Sequence, residues 1–356
     1  MAIQIFNTQY AIKDVPFGLR KKLIETFNHN VKIKEIVDNN KITNQFFGNE
    51  LKNIKKSITH NYRYYIIDVL TERIKKLLNT QIKQIGDQHT KITLNDIIKH
   101  LYREHGVHVF IKGGAVRDAF FNIDNIDIDG VFTYSNVLDI KKICDDEKWY
   151  CDNVMPQYQY INIGGEKGSS IDLTKIDSVL KDNIYNHEFT ISDLMFDPMT
   201  NILIDVSGFG LFDVINKMIR LSVKPDLYHS WALVDYKKPL RYFKLVMKGY
   251  NPINTFLNKF IIKFIEKHYE NTYEQPLYKG SNISKIKNFL IVNITNGTIN
   301  SDGTFKYGVN KRVIAPYLMT LKQHLNRDIF RKIIDNLHAD SQDKYLTRIT
   351  ATIRKT

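Results

Sequence analysis

The sequence predicts an α+β protein, with one α/β unit flanked by helical regions on both sides. Three observations carry that reading. Residues 1–98 place apolar side chains at helical spacing. Residues 225–356 do so again. Between them, residues 99–224 alternate short β-rich runs with short helical runs and Gly-rich turns. The expected organisation is an N-terminal helical region, a central α/β domain holding the chemistry, and a C-terminal helical neck and body.

Each element has its own signal. "FGLRKKLIETFNHNVKIKEIVDNN" and "YRYYIIDVLTERIKKLLNTQIKQI" read as amphipathic helices, and in the second Ile66, Leu70, Ile74 and Leu77 share a face. "ITLNDIIKHLYREHG" reads as a helix with Thr93 as N-cap and Gly106 as its stop. "VHVFI" is a strand, "AVRDAFFN" a short helix, "IDIDGVFTY" a strand and "VLDIKKICDDEKW" a helix. "YQYINIGGEKGSSIDLTKI" reads as two strands around a Gly-rich hairpin. Further on, "YKKPLRYFKLVMKGY" sets Leu240, Phe243, Met247 and Tyr250 on one helical face and Arg241, Lys244 and Lys248 on another. "NTFLNKFIIKFIEKHY" repeats the plan, with Lys259, Lys263 and Lys267 four residues apart.

Composition narrows the partners. The 356 residues carry a net charge of +13, and 43% are apolar, enough for a real core. So basic a chain meets a polyanion, with RNA or DNA ahead of an anionic membrane. The two lysine stripes fit an RNA track as well as they fit a solvated face. Cys144 and Cys151 form no CxxC pair and no zinc spacing. The N-terminus lacks a basic start followed by an apolar core, and no apolar run nears the roughly 20 residues that span a bilayer. A cytoplasmic protein without a membrane partner is the expectation.

The chemistry concentrates in "IKGGAVRDAFFNIDNIDIDGVF". Asp127 and Asp129 stand two apart in a strand, so they share a face. Neighbouring carboxylates repel and raise each other's pKa unless divalent cations sit between them. Mg²⁺, or Mn²⁺ in its place, takes such oxygen ligands together with substrate phosphates. Paired metals suit an attack by a 3′-hydroxyl on an α-phosphate with loss of pyrophosphate. Gly113 and Gly114 end a strand and open a helix, where backbone N–H groups can approach phosphates. Arg117 and Asp118 follow. Arg117 is placed either to reach a triphosphate or ribose, or to salt-bridge within the domain.

"GGAVRD" followed by "IDID" resembles the head of the class II tRNA nucleotidyltransferase and bacterial-type poly(A) polymerase family. "EFTISDLMFDPMTNILIDVSGFGLFDVINKMIR", from Glu188 to Arg220, is similar to that family's stretch of the form RDFTINALAYDP…LIDPFGGxxDLxxKxIR. The resemblance covers about residues 105–245. It implies a polymerase-β-like nucleotidyltransferase head, Mg²⁺ dependence and a nucleoside triphosphate substrate. It assigns Gly113 and Gly114 to the triphosphate, and Asp127 and Asp129 to the metals. It gives Asp172 the place of a third catalytic carboxylate, unless that residue is only a solvent-facing Asp of an edge strand. Asp193 and Asp205 are expected to serve the head's structure.

The departures are specific. Where the family has basic residues before "DFT", this chain has Asn186 and His187, so His187 is the candidate replacement contact to the nucleotide. The family's base-reading EDxxR falls on Lys237, Lys238 and Arg241. Lysine cannot accept a hydrogen bond, so ordered C-C-A addition is not expected. The resemblance therefore implies a divergent tailing enzyme of the poly(A) polymerase kind, extending tRNA or mRNA 3′ ends with ATP as the expected triphosphate. The alternatives are a CCA-adding enzyme, a toxin-like nucleotidyltransferase, and a degenerate head kept as an RNA-binding module.

Overall fold

A nine-stranded mixed sheet forms the centre of the first of two contact units. The structure is a computed structural model. It describes residues 33–35, 63–80, 92–122, 127–133, 135–164, 170–175, 188–223, 225–235, 237–270, 282–295, 297–299, 305–306, 311–339 and 344–355. The first unit is Met1–Asn216 with Arg220–Val223, and the second is Lys217–Ile219 with Lys224–Thr356.

The first unit's strands are β1 (Ile33–Glu35), β2 (Arg63–Ile67), β3 (His108–Lys112), β4 (Asp127–Thr133), β5 (Cys151–Met155), β6 (Tyr160–Gly164), β7 (Ser170–Lys175), β8 (Leu194–Asp197) and β9 (Ile202–Asp205). They lie in the order β1-β2-β9-β8-β3-β4-β7-β6-β5. Within this sheet, among the described residues, only β4 and β7 pair in parallel. The helices are α1 (Asp68–Leu78), α2 (Leu94–His105), α3 (Gly114–Ala119), α4 (Val137–Asp146) and α5 (Gly210–Ile215). This is the predicted α+β class: a mixed sheet with helices, followed by a second unit that is mainly helical.

Local chemistry accounts for the elements around the site. Thr93 caps α2 in a full capping box with Asp96, and Gly106 ends it at φ 66°. Asn136 caps α4 by accepting from the Leu138 and Asp139 N–H groups. Strand β3 is buried from His108 to Ile111, and in β4 Ile128, Val131 and Phe132 are buried. Both strands lie inside the sheet.

Gly130 sits where β4 meets two neighbours at once. A Cβ there would lie 2.7 Å from Leu173 Cδ2 and 3.0 Å from the Phe110 carbonyl oxygen. Gly130→Ala is therefore expected to cost about 1–3 kcal/mol in denaturant unfolding, as overpacking does. An unchanged midpoint would mean that β7 yields freely.

Buried carboxylates tie the loops to the sheet. Asp205 accepts from Ser207 Oγ and from the Gly208, Gly210 and Leu211 N–H groups at 2.9–3.1 Å. Burial pushes its pKa up to about 6 against those donors. Asp193 accepts from Ser222 Oγ at 2.5 Å. Asp197 joins His108 Nε2 at 2.9 Å and the Met199 and Thr200 N–H groups. The expected structural role of Asp193 and Asp205 has this form.

The N-terminal reading needs correction. Arg63–Ile67 is a strand, paired antiparallel with β9, and helix begins only at Asp68. Tyr64, Tyr65, Ile66 and Ile67 make a short apolar run of aromatic and β-branched residues, which favours strand. The buried face of α1 is Leu70, Ile74 and Leu78, without Ile66 or Leu77. Within "FGLRKKLIETFNHNVKIKEIVDNN" the described part, Ile33–Glu35, is a strand and not a helix. The rest of that stretch lies outside the described residues.

The second unit is mainly helical: α6 (Tyr228–Val234), α7 (Lys237–Met247), α8 (Thr255–Glu270), α9 (Asn282–Asn288) running into a π-helical turn (Phe289–Ile294), α10 (Ile314–His324), α11 (Arg327–Ala339) and α12 (Lys344–Lys355). Tyr317 Oη donates to the Leu240 carbonyl at 3.0 Å inside its core. Among the described residues no helix is long and apolar enough to cross a membrane.

Candidate active site

Strand register builds the site. Lys112 on β3 pairs with Met195 on β8 and with Asp129 on β4. Asp129 pairs with Asp172 on β7, and Asp172 with Asn162 on β6. Directly paired residues share a sheet face. Lys112, Asp129, Asp172 and Asn162 therefore form one transverse polar row across four strands. Asp127 sits two residues from Asp129 and pairs with Ser170. Its backbone belongs to β4, and its side chain lies outside the described residues, as does His187.

Asp129 is exposed and Asp172 half-buried. Strand β7 lies between β4 and β6, so Asp172 is not on a sheet edge. Tyr160 Oη and Asn162 Nδ2 both donate to its Oδ1, at 2.7 and 2.6 Å. Two donors on one oxygen fix the carboxylate's rotation. Neither donor was among the sequence candidates. Their signal is present in "YQYINIGG", where they stand two apart, but only the β6–β7 register connects them to Asp172.

Lys112 was also missed, although it immediately precedes the two glycines. Burial lowers its pKa, while Asp129, Glu188 and Asp193, in that order, hold the ammonium form. One cation thus faces the motif aspartate and the acid that opens the second similar stretch.

Gly113 has φ 67° and ψ −128°, a conformation reserved for glycine. Its N–H already donates to the Leu194 carbonyl at 3.2 Å. That N–H is therefore paired within the protein, and the missing side chain of Gly113 leaves space in front of it. A Cβ there would stand 3.8 Å from Asp129 Oδ2. Helical bonding in α3 starts with Arg117 N–H donating to the Gly113 carbonyl at 3.1 Å. That leaves the Gly114 N–H without a helical acceptor.

Arg117 takes the second of its two expected roles. Its Nε and Nη2 donate to Asp118 Oδ1 and Oδ2 at 2.8 and 3.1 Å, and both side chains are buried. This bidentate pair balances the two buried charges within α3. Arg73 of α1 adds a cation at the end of α3, donating to the Ala119 and Phe120 carbonyls at 3.0 and 2.6 Å.

The residues expected to read the base lie in the second unit. Lys238 is 2% exposed in the first turn of α7. The Lys237 N–H donates to Asp235 Oδ1 at 2.9 Å, which starts that helix. Arg241 Nη2 donates to Asn293 Oδ1 at 3.1 Å, and Lys244 Nζ donates to the Asn293 carbonyl. The first basic stripe is thus partly a strut between α7 and the π-helical turn. Lys259, Lys263 and Lys267 of α8 are exposed.

The donor chemistry fits a hard divalent cation. Asp129 and Asp172 offer oxygen only and adjoin in register, and Asp129 faces the gap left by Gly113. Among the described residues no group of three or more His, Cys, Asp or Glu stands close enough to hold a metal.

No protein-family model and no curated protein matches the chain. Solved structures do. One is a tRNA-processing enzyme in apo form, at 16% identity and TM-score 0.48, covering 74% of this chain and 62% of its own. A CCA-adding enzyme with ATP has 16% identity and TM-score 0.47 and covers 81% and 72%. The Thermotoga maritima CCA-adding enzyme complexed with tRNA has 18% identity and TM-score 0.44 and covers 74% and 69%. The chain spans 62% and 58% of the length of two tRNA-processing enzyme structures it is similar to.

Proposed function

We propose that the chain transfers nucleotides from a nucleoside triphosphate to an RNA 3′ end without a template. The observation that carries this is the polar row, with Asp129 and Asp172 adjacent across a parallel strand pair beside Gly113. In the reaction a 3′-oxygen bonds to the α-phosphorus, the bond to the bridging oxygen breaks, and pyrophosphate leaves. Asp127, Asp129 and Asp172 would hold Mg²⁺ or Mn²⁺. Such a cation, when bound, acidifies the attacking hydroxyl and offsets charge on the phosphates. Tyr160 and Asn162 keep the Asp172 carboxylate aimed. Gly113 leaves room for phosphate oxygens before Asp129. Lys112 balances the carboxylates.

Base choice follows from α7. Lys238 is a buried donor, and Arg241 is engaged with Asn293. Neither is poised as a donor–acceptor pair for a nucleobase edge, which favours a poly(A) polymerase-like tailing activity over ordered C-C-A addition.

The test is direct. The protein is incubated with Mg²⁺ and each nucleoside triphosphate singly, then all together, on an unstructured RNA and on a tRNA ending before its CCA. Extension with ATP alone, to products of mixed length, is expected. Clean addition of C, C and A followed by a stop would establish the CCA-adding alternative instead. No incorporation under any condition would leave an RNA-binding module.

A further inference from the structure

Helix α8 has two unlike faces. Leu257, Ile261 and Ile265 are buried. Beside that buried seam Phe256, Lys259, Phe260, Lys263, Phe264 and Lys267 follow one another at alternating spacings of three and one residues, so they fall on one helical face. Aromatic rings and ammonium groups therefore interleave along about three turns.

The rings are supported from below. The buried Tyr228 of α6 lies 6.1 Å from Phe256 and 5.5 Å from Phe260, centroid to centroid. Phe260 and Phe264 are 6.0 Å apart, and the exposed His229 ring stands 5.9 Å from Phe264. Phe256 itself is 59% exposed. A large apolar ring held open on a rigid neighbour is poised for a flat partner. Lys259, Lys263 and Lys267 are exposed and have no ion-pair partner among the described residues. A solvated helix face would keep the lysines and has no use for the exposed Phe256. A docking face for an ordinary protein segment would keep the phenylalanines and has no use for three exposed lysines between them.

We infer that this face of α8 is a stacking platform for single-stranded RNA, with bases on Phe256 and Phe260 and phosphates on the three lysines. Every base has a π-face, so such binding tolerates sequence, and Lys–phosphate contacts follow the backbone. The proposal deepens the RNA reading above and stands on the second unit alone.

Fluorescence anisotropy tests it, with labelled oligo(A), oligo(U) and an RNA duplex of the same length, in the absence of triphosphate and metal. Loss of the catalytic reading would leave this measurement standing, and the reverse holds too. Wild type is expected to bind both single strands more tightly than the duplex. Phe256→Ala should weaken single-strand binding roughly 5- to 150-fold with the salt slope unchanged. Lys259→Ala and Lys263→Ala should each lower that slope by about 0.7. A duplex bound as well as the single strands would overturn the platform. So would Phe256→Ala binding like wild type, or wild type failing to bind single strands, which would return the face to a protein partner. Phe256→Trp is expected to keep wild-type binding, and its failure to do so would count against stacking.

Discussion

Asp129→Asn is expected to lower nucleotide incorporation by about 10³-fold or more while the thermal midpoint holds. Asp129 is exposed and pairs through its backbone in β4, so an isosteric amide leaves the strand pairing in place. Its amide keeps the size and loses the negative oxygen a hard cation requires. Removing a ligand of a catalytic cation withdraws several kcal/mol of transition-state stabilisation, and each 1.36 kcal/mol is tenfold in rate. Primer extension with labelled RNA and ATP measures it. Activity within about tenfold of wild type would remove Asp129 from the chemistry and with it the proposed site.

Lys112→Met should separate activity from stability. The ammonium is held against burial by Asp129, Glu188 and Asp193. Methionine keeps the apolar stem and deletes the charge. Replacing a buried charge by an apolar isostere is often neutral or stabilising, yet the carboxylates lose the cation that positions them. Outer residues of this kind typically matter by about 10- to 100-fold. Incorporation at saturating triphosphate should fall by that factor while the unfolding midpoint stays or rises. A parallel fall of both would make Lys112 purely structural, and no fall of either would make it a bystander.

The local elements were legible because their signals are local. Thr93, Gly106, the strand HVFIK and the aspartate pair all declare themselves within a few residues. Tyr160, Asn162 and Lys112 were hidden for the opposite reason: each acts on a carboxylate of another strand, and register is not written in any one segment. The engagement of Arg241 and Lys244 with Asn293 was hidden for a related cause. Helical periodicity places them on a face, but only the position of Asn293 makes that face a strut. Arg63–Ile67 was ambiguous because a short apolar run fits either period, and pairing with β9 decides it.

The pairing of β4 with β7 sets a timetable for the protein's maturation. Asp129 reaches its neighbour only after α4, β5 and β6 have intervened, and Lys112 is flanked on its other side by the still later β8. The earliest described strands, β1 and β2, wait longest, since β2 docks on β9. Such distant closures are paid in chain entropy before any contact rewards them. A nascent chain halted before Asp172 would carry both glycines and both motif aspartates and still lack the neighbour that completes the row. The polar row would therefore be completed late and at once, when the last strands close the sheet, rather than growing as the chain emerges.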